Sequence, residues 1–309
     1  MKLISIVTPC YNEEENVEEL YQQVKNVFNG LKDYTYEHIF IDNASTDNTL
    51  EILKRIAIQD KNVKIIVNSR NFGHLRSPFY AMLQAKGDAV IPLSADLQDP
   101  PSLIPEFIKK WEEGFKIVVA VKKESQESRI MFNLRKLYYN LISKLSEVEL
   151  IKNFAGFGLY DRKIIEILRN LNDPYPYFRG LIAEIGFEKA IIEYVQPKRK
   201  KGKTKNNFYT LYDLAMLGLT SYSKVPLRVA TLCGFIMSIV SLLVALGYFI
   251  YKILFWQRFS LGIAPLIIGL FFFSSVQLFF LGLLGEYIGA IYTQVLNRPL
   301  VIEKERINF

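Results

Sequence analysis

Residues 229–251 and 259–285 of this 309-residue chain contain no charged side chain. Each stretch exceeds the roughly 20 residues that an α-helix needs to cross a bilayer. Both carry glycines and aromatics towards their ends, which membrane helices tolerate. Burying two such helices in a soluble core would need a large covering shell, and little chain follows the second. The pattern therefore predicts two membrane spans. They account for a hydrophobic content of 50% and a mean hydropathy of +0.13, high for a soluble enzyme.

Basic residues set the expected orientation. Lys198, Arg199, Lys200, Lys201, Lys203 and Lys205 precede the first stretch, and Arg298, Lys304 and Arg306 follow the second. The connection between them carries only Lys252 and Arg258. Positive charge collects on the cytosolic side of membrane proteins, so a hairpin in the cytoplasmic membrane with both termini cytosolic is expected. Met1 leads almost directly into an apolar run without a signal-peptide pattern. Cys10 and Cys233 fall in different environments and offer no disulfide framework. A net charge of +7 admits nucleic acid as a partner, but no nucleic-acid module or interleaving of aromatic and basic residues is present. Anionic lipid and phosphate-bearing substrates are the simpler cause.

Ahead of residue 224 the chain alternates apolar and charged segments. Apolar runs at 3–8, 38–41, 63–67, 89–93 and 117–121 are separated by helix-period segments at 17–31, 49–58, 77–86 and 103–113. Strands separated by helices imply βαβ units and a mostly parallel, Rossmann-like sheet, so the fold class is α/β. Ligands of such sheets bind beyond the carboxyl ends of the strands. There the sequence places "PCYNEEE", "DNASTDNT", "NSRNFGH" and "SADLQDPP" after four consecutive strands. Each has an ordinary reading taken singly. Asn12 or Glu13 starts a helix, Ser45, Thr46 and Asp47 are N-caps, and Asn71 and Gly73 are turn residues. Four in register at one sheet edge make a pocket. No GxGxxG, P-loop or GxSxG is present, so dinucleotide, Walker-type and α/β-hydrolase sites lack their signatures.

The motifs "SIVTPCYNEEENV", "IDNASTDNT", "SRNFGH", "AKGDAVIPLSADLQDPP" and "RKKGKTK", followed by two spans, resemble those of the polyprenyl-phosphate glycosyltransferases. That group includes dolichol-phosphate mannose synthases and bactoprenol glucosyltransferases, inverting enzymes of family 2 with the GT-A fold. The resemblance covers nearly the whole chain. It implies a cytosolic GT-A domain at 1–205, juxtamembrane interfacial helices at 206–226, two transmembrane helices at 227–290 and a cytosolic tail at 291–309. It also implies transfer of one sugar from a nucleotide-sugar, most simply a UDP-sugar, to undecaprenyl or another polyprenyl phosphate, with no nucleic-acid partner. Relatives assemble as homo-oligomers through their hairpins.

Residue by residue, the resemblance assigns Pro9, Tyr11, Asn12, Glu13, Asp42 and Arg70 to the nucleotide. Asp96 and Gln98 match the D-x-D-x-Q pattern that holds Mg²⁺ or Mn²⁺, with Ser94 in place of its first aspartate. Mg²⁺ commonly takes one or two carboxylates plus substrate phosphates, so Asp96 suffices. Asp96, Arg199 and Lys205 are the expected catalytic residues. Lys122, Arg129, Arg135 and Thr204 are expected at the acceptor phosphate. Arg199, Gly202, Thr204 and Lys205 match R-x-x-G-x-[ST]-K, which also reads as a juxtamembrane stop signal on anionic lipid. Arg179–Gly180 match a family position without an assigned role, and Asp161 reads as a helix cap.

One departure concerns "NFAGFGLYDRK". Relatives show D-x-G-D-F-R-L-x-D, whose second aspartate is proposed to be catalytic. Alignment on Phe157, Leu159 and Asp161 puts Gly156 at that aspartate and Gly158 at the arginine. A phosphate monoester has a second pKa of about 6 and needs no base to become a nucleophile, so the loss need not abolish transfer. The glycines are expected to make room for a different sugar or pose. Two further readings are a catalytically silent scaffold, motivated by Ser94, Gly156 and Gly158, and a processive polysaccharide synthase, whose Q-x-x-R-W motif is missing. Apolar residues at helical spacing in "NNFYTLYDLAMLGLTSYSKVPLR" suggest an interfacial helix leading into the first span.

Overall fold

The structure is a computed structural model, and it describes residues 1–123, 150–197, 208–255 and 263–309. The first five apolar runs form strands β1 (Lys2–Cys10), β2 (Tyr34–Asp42), β3 (Val63–Asn68), β4 (Ala89–Pro92) and β5 (Ile117–Lys122). Helices α1 (Val17–Asn29), α2 (Thr49–Gln59), α3 (Gly73–Gln84) and α4 (Ile104–Glu112) separate them. Then follow β6 (Phe154–Asp161), α5 (Arg162–Leu171), α6 (Phe178–Glu184) and β7 (Lys189–Tyr194). The chain continues through α7 (Phe208–Tyr222), α8 (Val225–Leu254), α9 (Ile263–Leu296) and β8 (Glu303–Ile307).

All eight strands join one sheet in the order β7-β5-β6-β4-β1-β2-β3-β8. β1 pairs in parallel with β2 and β4, β2 with β3, and β5 with β7. β6 runs antiparallel between β4 and β5, and β8 antiparallel along β3. This is the mostly parallel α/β sheet expected from the sequence. The register pairs Cys10 with Asp42 and Asp42 with Val67, so the carboxyl ends of β1 to β3 finish level and their loops share one edge.

Side chains alternate between the two sheet faces, and each face has its own helices. Ile4, Ile6 and Ile91 meet Leu20 and Val24 of α1 and Phe107, Ile108 and Trp111 of α4. Val7, Val90 and Val119 meet Phe79 and Met82 of α3 and Ile164, Ile165 and Leu168 of α5. Full burial of such side chains contributes roughly 1.5–3 kcal/mol each, which fixes strand register and hence the loop positions. Asp161 caps α5 as the sequence suggests. Its Oδ1 accepts from the Lys163 amide at 3.0 Å, and its Oδ2 accepts from Trp111 Nε1 at 2.7 Å and Lys116 Nζ at 2.9 Å.

α8 and α9 contain segments, Val225–Tyr251 and Ile268–Leu296, long and apolar enough to cross a membrane, and these pack into no protein core. Two contacts tie α7 to α9: Tyr212 donates to Glu286 Oε1 at 3.0 Å, and Tyr287 donates to the Ser223 carbonyl at 2.6 Å. The segment that reads in sequence as a tail returns to the sheet. Ile307, Arg306, Glu305 and Glu303 of β8 pair with Ile65, Ile66, Val67 and Asn68 of β3.

Candidate active site

The loops after β1 and β2 are stitched together by the polar residues that mark them in sequence. The Asn12 amide donates to Ser45 Oγ at 3.0 Å, and Asn12 Oδ1 accepts from the Thr46 amide at 2.8 Å. The Glu13 amide donates to Thr49 Oγ1 at 2.8 Å, and Glu14 Oε2 accepts from the Asn48 amide at 2.9 Å. Asn12 holds a left-handed backbone, φ 55°, which asparagine tolerates better than most residues. Its side chain therefore braces the loop pair, and Glu13 Oε2 accepts from Asn16 Nδ2 at 2.7 Å.

The third loop is drawn in by asparagines. Asn43 Nδ2 donates to Asn71 Oδ1 at 3.0 Å, while Asn43 Oδ1 accepts from Asn68 Nδ2 at 3.0 Å and the Phe72 amide at 2.9 Å. Asn68 Nδ2 also donates to Ser77 Oγ at 3.0 Å. Asn43, Asn68 and Ser77 carry no role assigned from sequence; the signal for the two asparagines is an amide side chain at a strand end, where main-chain groups run out of ladder partners.

Between these loops lies an outer cavity of about 320 Å³, with Pro9, Tyr11, Glu13, Asn43, Asn71 and His74 on its walls. Three of the expected nucleotide residues, Pro9, Tyr11 and Glu13, are thus brought together. Asp42 is buried at the end of β2. Its Oδ2 accepts from the Ser45 amide at 3.2 Å, while its Oδ1 has no partner among the described residues. Burial lifts this carboxyl above its ordinary range, against the hydrogen bonds from Ser45. A buried oxygen left over costs stability, and Asp42 is not among the residues that line either cavity. Arg70 is not on either cavity wall; its guanidinium stacks 4.0 Å from the Phe72 ring centre and donates to the Asn71 carbonyl.

An inner cavity of about 240 Å³ shares Pro9, His74 and Pro78 with the outer one. It is bounded by the tips of β1 and β4, by Gly156 and Phe157 of β6, by Arg179 of α6 and by Leu214 of α7. Burial, and then the charge of Arg179, push the His74 imidazole below its ordinary pKa. Sequence reading assigns no role to His74 and none to Arg179. They lie more than a hundred residues apart in sequence, and only the packing of α3 and α6 brings them to one cavity.

At the tip of β4, Asp96 is buried and its Oδ1 accepts from the Gln98 amide at 3.2 Å. Leu97 between them holds φ 60°, an uncommon conformation for a branched residue and one that recurs where function constrains the backbone. Among the described residues no group of three His, Cys, Asp or Glu side chains forms a metal cluster. One carboxylate and one amide oxygen are a hard-oxygen donor set that suits Mg²⁺ or Mn²⁺ shared with phosphates. The second carboxylate, Asp99, is turned away to structural work. Ser94 donates to its Oδ2 through both amide and hydroxyl, and Tyr194 donates to its Oδ1 at 3.2 Å.

The two glycines of the departure differ. Gly156 lines the inner cavity at φ +107°, and a Cβ there would meet only the Phe178 ring at 3.5 Å. Gly158 makes no room for a substrate: a Cβ there would lie 2.2 Å from the Val118 carbonyl oxygen on β5. An arginine cannot occupy that position on this backbone. Lys122 ends β5, its amide donating to the Asn153 carbonyl at 3.2 Å. Arg129, Arg135, Arg199, Thr204 and Lys205 lie outside the described residues.

The sequence matches the model of glycosyl transferase family 2 over residues 5–168. It is 38% identical over 299 residues to the uncharacterized glycosyltransferase YkcC of Bacillus subtilis (strain 168), covering 96% of this chain and 92% of that one. It is 36% identical over 303 residues to the bactoprenol glucosyl transferase of Shigella phage SfII, covering 98% and 97%. Among solved structures, the glucosyl-3-phosphoglycerate synthase of Mycobacterium tuberculosis, in complex with Mn²⁺, UDP and phosphoglyceric acid, aligns with a TM-score of 0.49 at 20% identity, covering 71% and 76%. The chain belongs to glycosyl transferase family 2, among the polyprenyl-phosphate glycosyltransferases it resembles: a glycosyltransferase whose GT-A domain carries both cavities and leads into two long apolar helices.

Proposed function

We propose that this enzyme transfers a single sugar from a nucleotide-sugar, UDP-linked by preference, to a polyprenyl phosphate at the cytosolic face of the cytoplasmic membrane. The observation that carries the reading is the wall of the inner cavity. It joins the catalytic sheet edge to Leu214 of α7, the helix immediately before the first membrane-length helix. Relatives spanning nearly the full chain bear the name bactoprenol glucosyl transferase, which supports the acceptor class. Because β8 lies in the same sheet as β1 to β7, the segments flanking the helical pair sit on one side of any membrane it crosses. The clustered lysines and arginines beside those helices favour the cytosolic side.

In this reading the nucleoside occupies the outer cavity, against Pro9, Tyr11 and Glu13. Asp96 and Gln98 hold Mg²⁺ or Mn²⁺, which when bound supplies positive charge beside the departing diphosphate. The acceptor phosphate is mostly dianionic at neutral pH, so its oxygen attacks the anomeric carbon without surrendering a proton to the protein. The bond from that carbon to the diphosphate oxygen breaks, the nucleoside diphosphate leaves with the electron pair, and the anomeric configuration inverts. Positioning two anions is then the protein's main task, and Gly156 in place of a carboxylate is compatible with it.

The test is direct: purified full-length protein in nanodiscs, Mn²⁺, radiolabelled UDP- and GDP-sugars, and undecaprenyl phosphate. A sugar-labelled lipid is expected with one donor. Folded protein that labels no lipid with any donor overturns the reading.

A further inference from the structure

The inner cavity is poorly suited to a hexose. Its described wall is mostly apolar, with Val7, Pro78, Phe79, Met82, Leu93 and Phe157 among its residues, and a sugar's several hydroxyls would lose water there without gaining partners. Among the described residues, polar side-chain atoms on this wall come from His74, Ser94, Asp99, Tyr177 and Arg179. Of these, Ser94 and Asp99 are bonded to each other, and Tyr194 takes the other Asp99 oxygen. At about 240 Å³ the cavity is also smaller than the roughly 300–1,000 Å³ of pockets that enclose a whole drug-sized ligand. It takes one end of a larger molecule, with one polar point and much apolar surface.

His74 and Arg179 supply the polar point. Two basic side chains facing one small apolar space repel each other once charged, and an anion between them reverses the sign of that interaction. His74 also lines the outer cavity, so an anion held there adjoins the nucleotide residues Pro9 and Glu13. The apolar side of the cavity ends on Leu214 of α7.

Gly180 shows how the arginine is held. A Cβ at Gly180 would lie 2.3 Å from Cε2 of Tyr222, the last residue of α7. The Tyr222 ring fills that notch and packs at a tilt of 52° on Tyr177, ring centres 5.9 Å apart. The helix leading to the membrane is thus wedged against the residue that follows Arg179.

We propose that the inner cavity is the head-group site of the acceptor: Arg179 and His74 hold the phosphoryl group of a polyprenyl phosphate, and the apolar wall ending on Leu214 takes its first isoprenoid carbons. Tyr222, packed on Gly180, positions Arg179 for this. The assignment rests on the proposed acceptor class and names its residues.

The experiment uses full-length protein in nanodiscs and two readouts. The first is thermal stabilisation by farnesyl phosphate, with inorganic phosphate as the probe lacking a chain. The second is the pair of KM values for undecaprenyl phosphate and for the nucleotide-sugar, with UDP affinity measured separately. Arg179→Ala is expected to abolish stabilisation by farnesyl phosphate and to raise the acceptor KM about tenfold or more, leaving UDP affinity unchanged. Arg179→Lys is expected to recover part of both, and guards against loss of fold in the alanine variant. Gly180→Ala should raise the acceptor KM without touching a ligand. A loss of UDP affinity with an unchanged acceptor KM would hand the arginine to the donor diphosphate and overturn the proposal. So would equal stabilisation of Arg179→Ala and wild type by farnesyl phosphate. Wild type that binds farnesyl phosphate through Arg179 yet makes no lipid-linked sugar would overturn the transfer reaction alone.

Discussion

The amide and hydroxyl of Ser94 both donate to one oxygen of Asp99, so the residues on either side of Asp96 and Gln98 are bonded to each other. Serine at this position, where relatives carry an aspartate, keeps a buried carboxylate supplied with donors. Ser94→Ala leaves that oxygen with the amide alone and should cost about 1–3 kcal/mol, the range for a buried group losing its partner. Combined with Tyr194→Phe, which removes the donor to the other oxygen, the loss should be non-additive, since both act on one carboxylate. Thermal denaturation of the two single variants and the double variant measures this. Strictly additive losses would show that Asp99 does not couple them.

Asp96, at the β4 tip, accepts from the Gln98 amide. Asp96→Asn keeps the size and the capping of the Gln98 amide but removes the charge. Turnover is expected to fall about 10²-fold or more, the scale for losing one group that offsets charge in a transition state. Manganese binding in the presence of UDP, followed by electron paramagnetic resonance, should fall with it. Unchanged metal affinity would move the metal site elsewhere.

How much of this was legible in the sequence depends on what each residue contacts. β1 to β5 were readable because parallel strands covered on both faces are continuous apolar runs, and the loops stood out as polar interruptions. β8, with the sequence "EKERI", reads as a charged tail because edge strands carry charge that discourages further pairing. Asn12 reads as a nucleotide contact in sequence, and the structure adds that it braces Thr46, a role that depends on which loops meet. His74 lies in a recognised motif and Arg179 at a family position, but no role follows from either until α3 and α6 bring them to one cavity.

The glycines at 156 and 158 should part company when substituted. Gly158→Ala forces a carbon against the Val118 carbonyl, a backbone atom that cannot move without opening the β5–β6 ladder, so little folded protein is expected. Gly156→Asp, which restores the relatives' carboxylate, meets the Phe178 ring at ordinary contact distance but on a backbone at φ +107°. That strain costs on the order of 1–3 kcal/mol, and activity should not rise above wild type. Yield, melting temperature and turnover separate the two. A well-folded Gly158→Ala would disprove the close β5–β6 approach.

His38 predicts an acid limit to stability. It is fully buried, stacks on Phe40 at 3.9 Å, and has one nitrogen 2.9 Å from Thr8 Oγ1. Burial pushes it down to about 3, against about 6.5 in an unfolded chain. Between those values the unfolded state binds the extra proton, so the neutral ring's contribution is whole above pH 6.5 and is lost as pH falls. At pH 5 the loss is roughly 2 kcal/mol. His38→Gln should therefore be less stable than wild type at pH 7 but lose less between pH 7 and pH 5. Parallel melting curves of the two proteins across that range would refute the assignment.

β8 ties the far end of the helical pair to the nucleotide side of the sheet, and Asn308 secures it. Its Nδ2 donates to the carbonyls of Ala57 and Val63, both at 2.8 Å, while Lys54 pairs with Glu305 at 2.8 Å. The ion pair is exposed and worth at most about 1 kcal/mol; the amide bonds fasten the strand at α2 and the start of β3. The Ile302 carbonyl accepts from the Ser69 amide at 2.9 Å, and Arg306 of β8 donates to Oε1 of Gln84, the last residue of α3, at 3.1 Å. Removing this strand would expose the β3 edge to pairing with other chains and release α3, which carries His74. Asn308→Ala is expected to cost about 1–2 kcal/mol with the nucleotide-sugar KM little changed. Truncation after residue 301 should promote aggregation and raise the nucleotide-sugar KM. Size-exclusion profiles and donor kinetics on the two variants decide it, and a truncated enzyme that stays monodisperse with wild-type donor KM would show that β8 merely rests on the sheet.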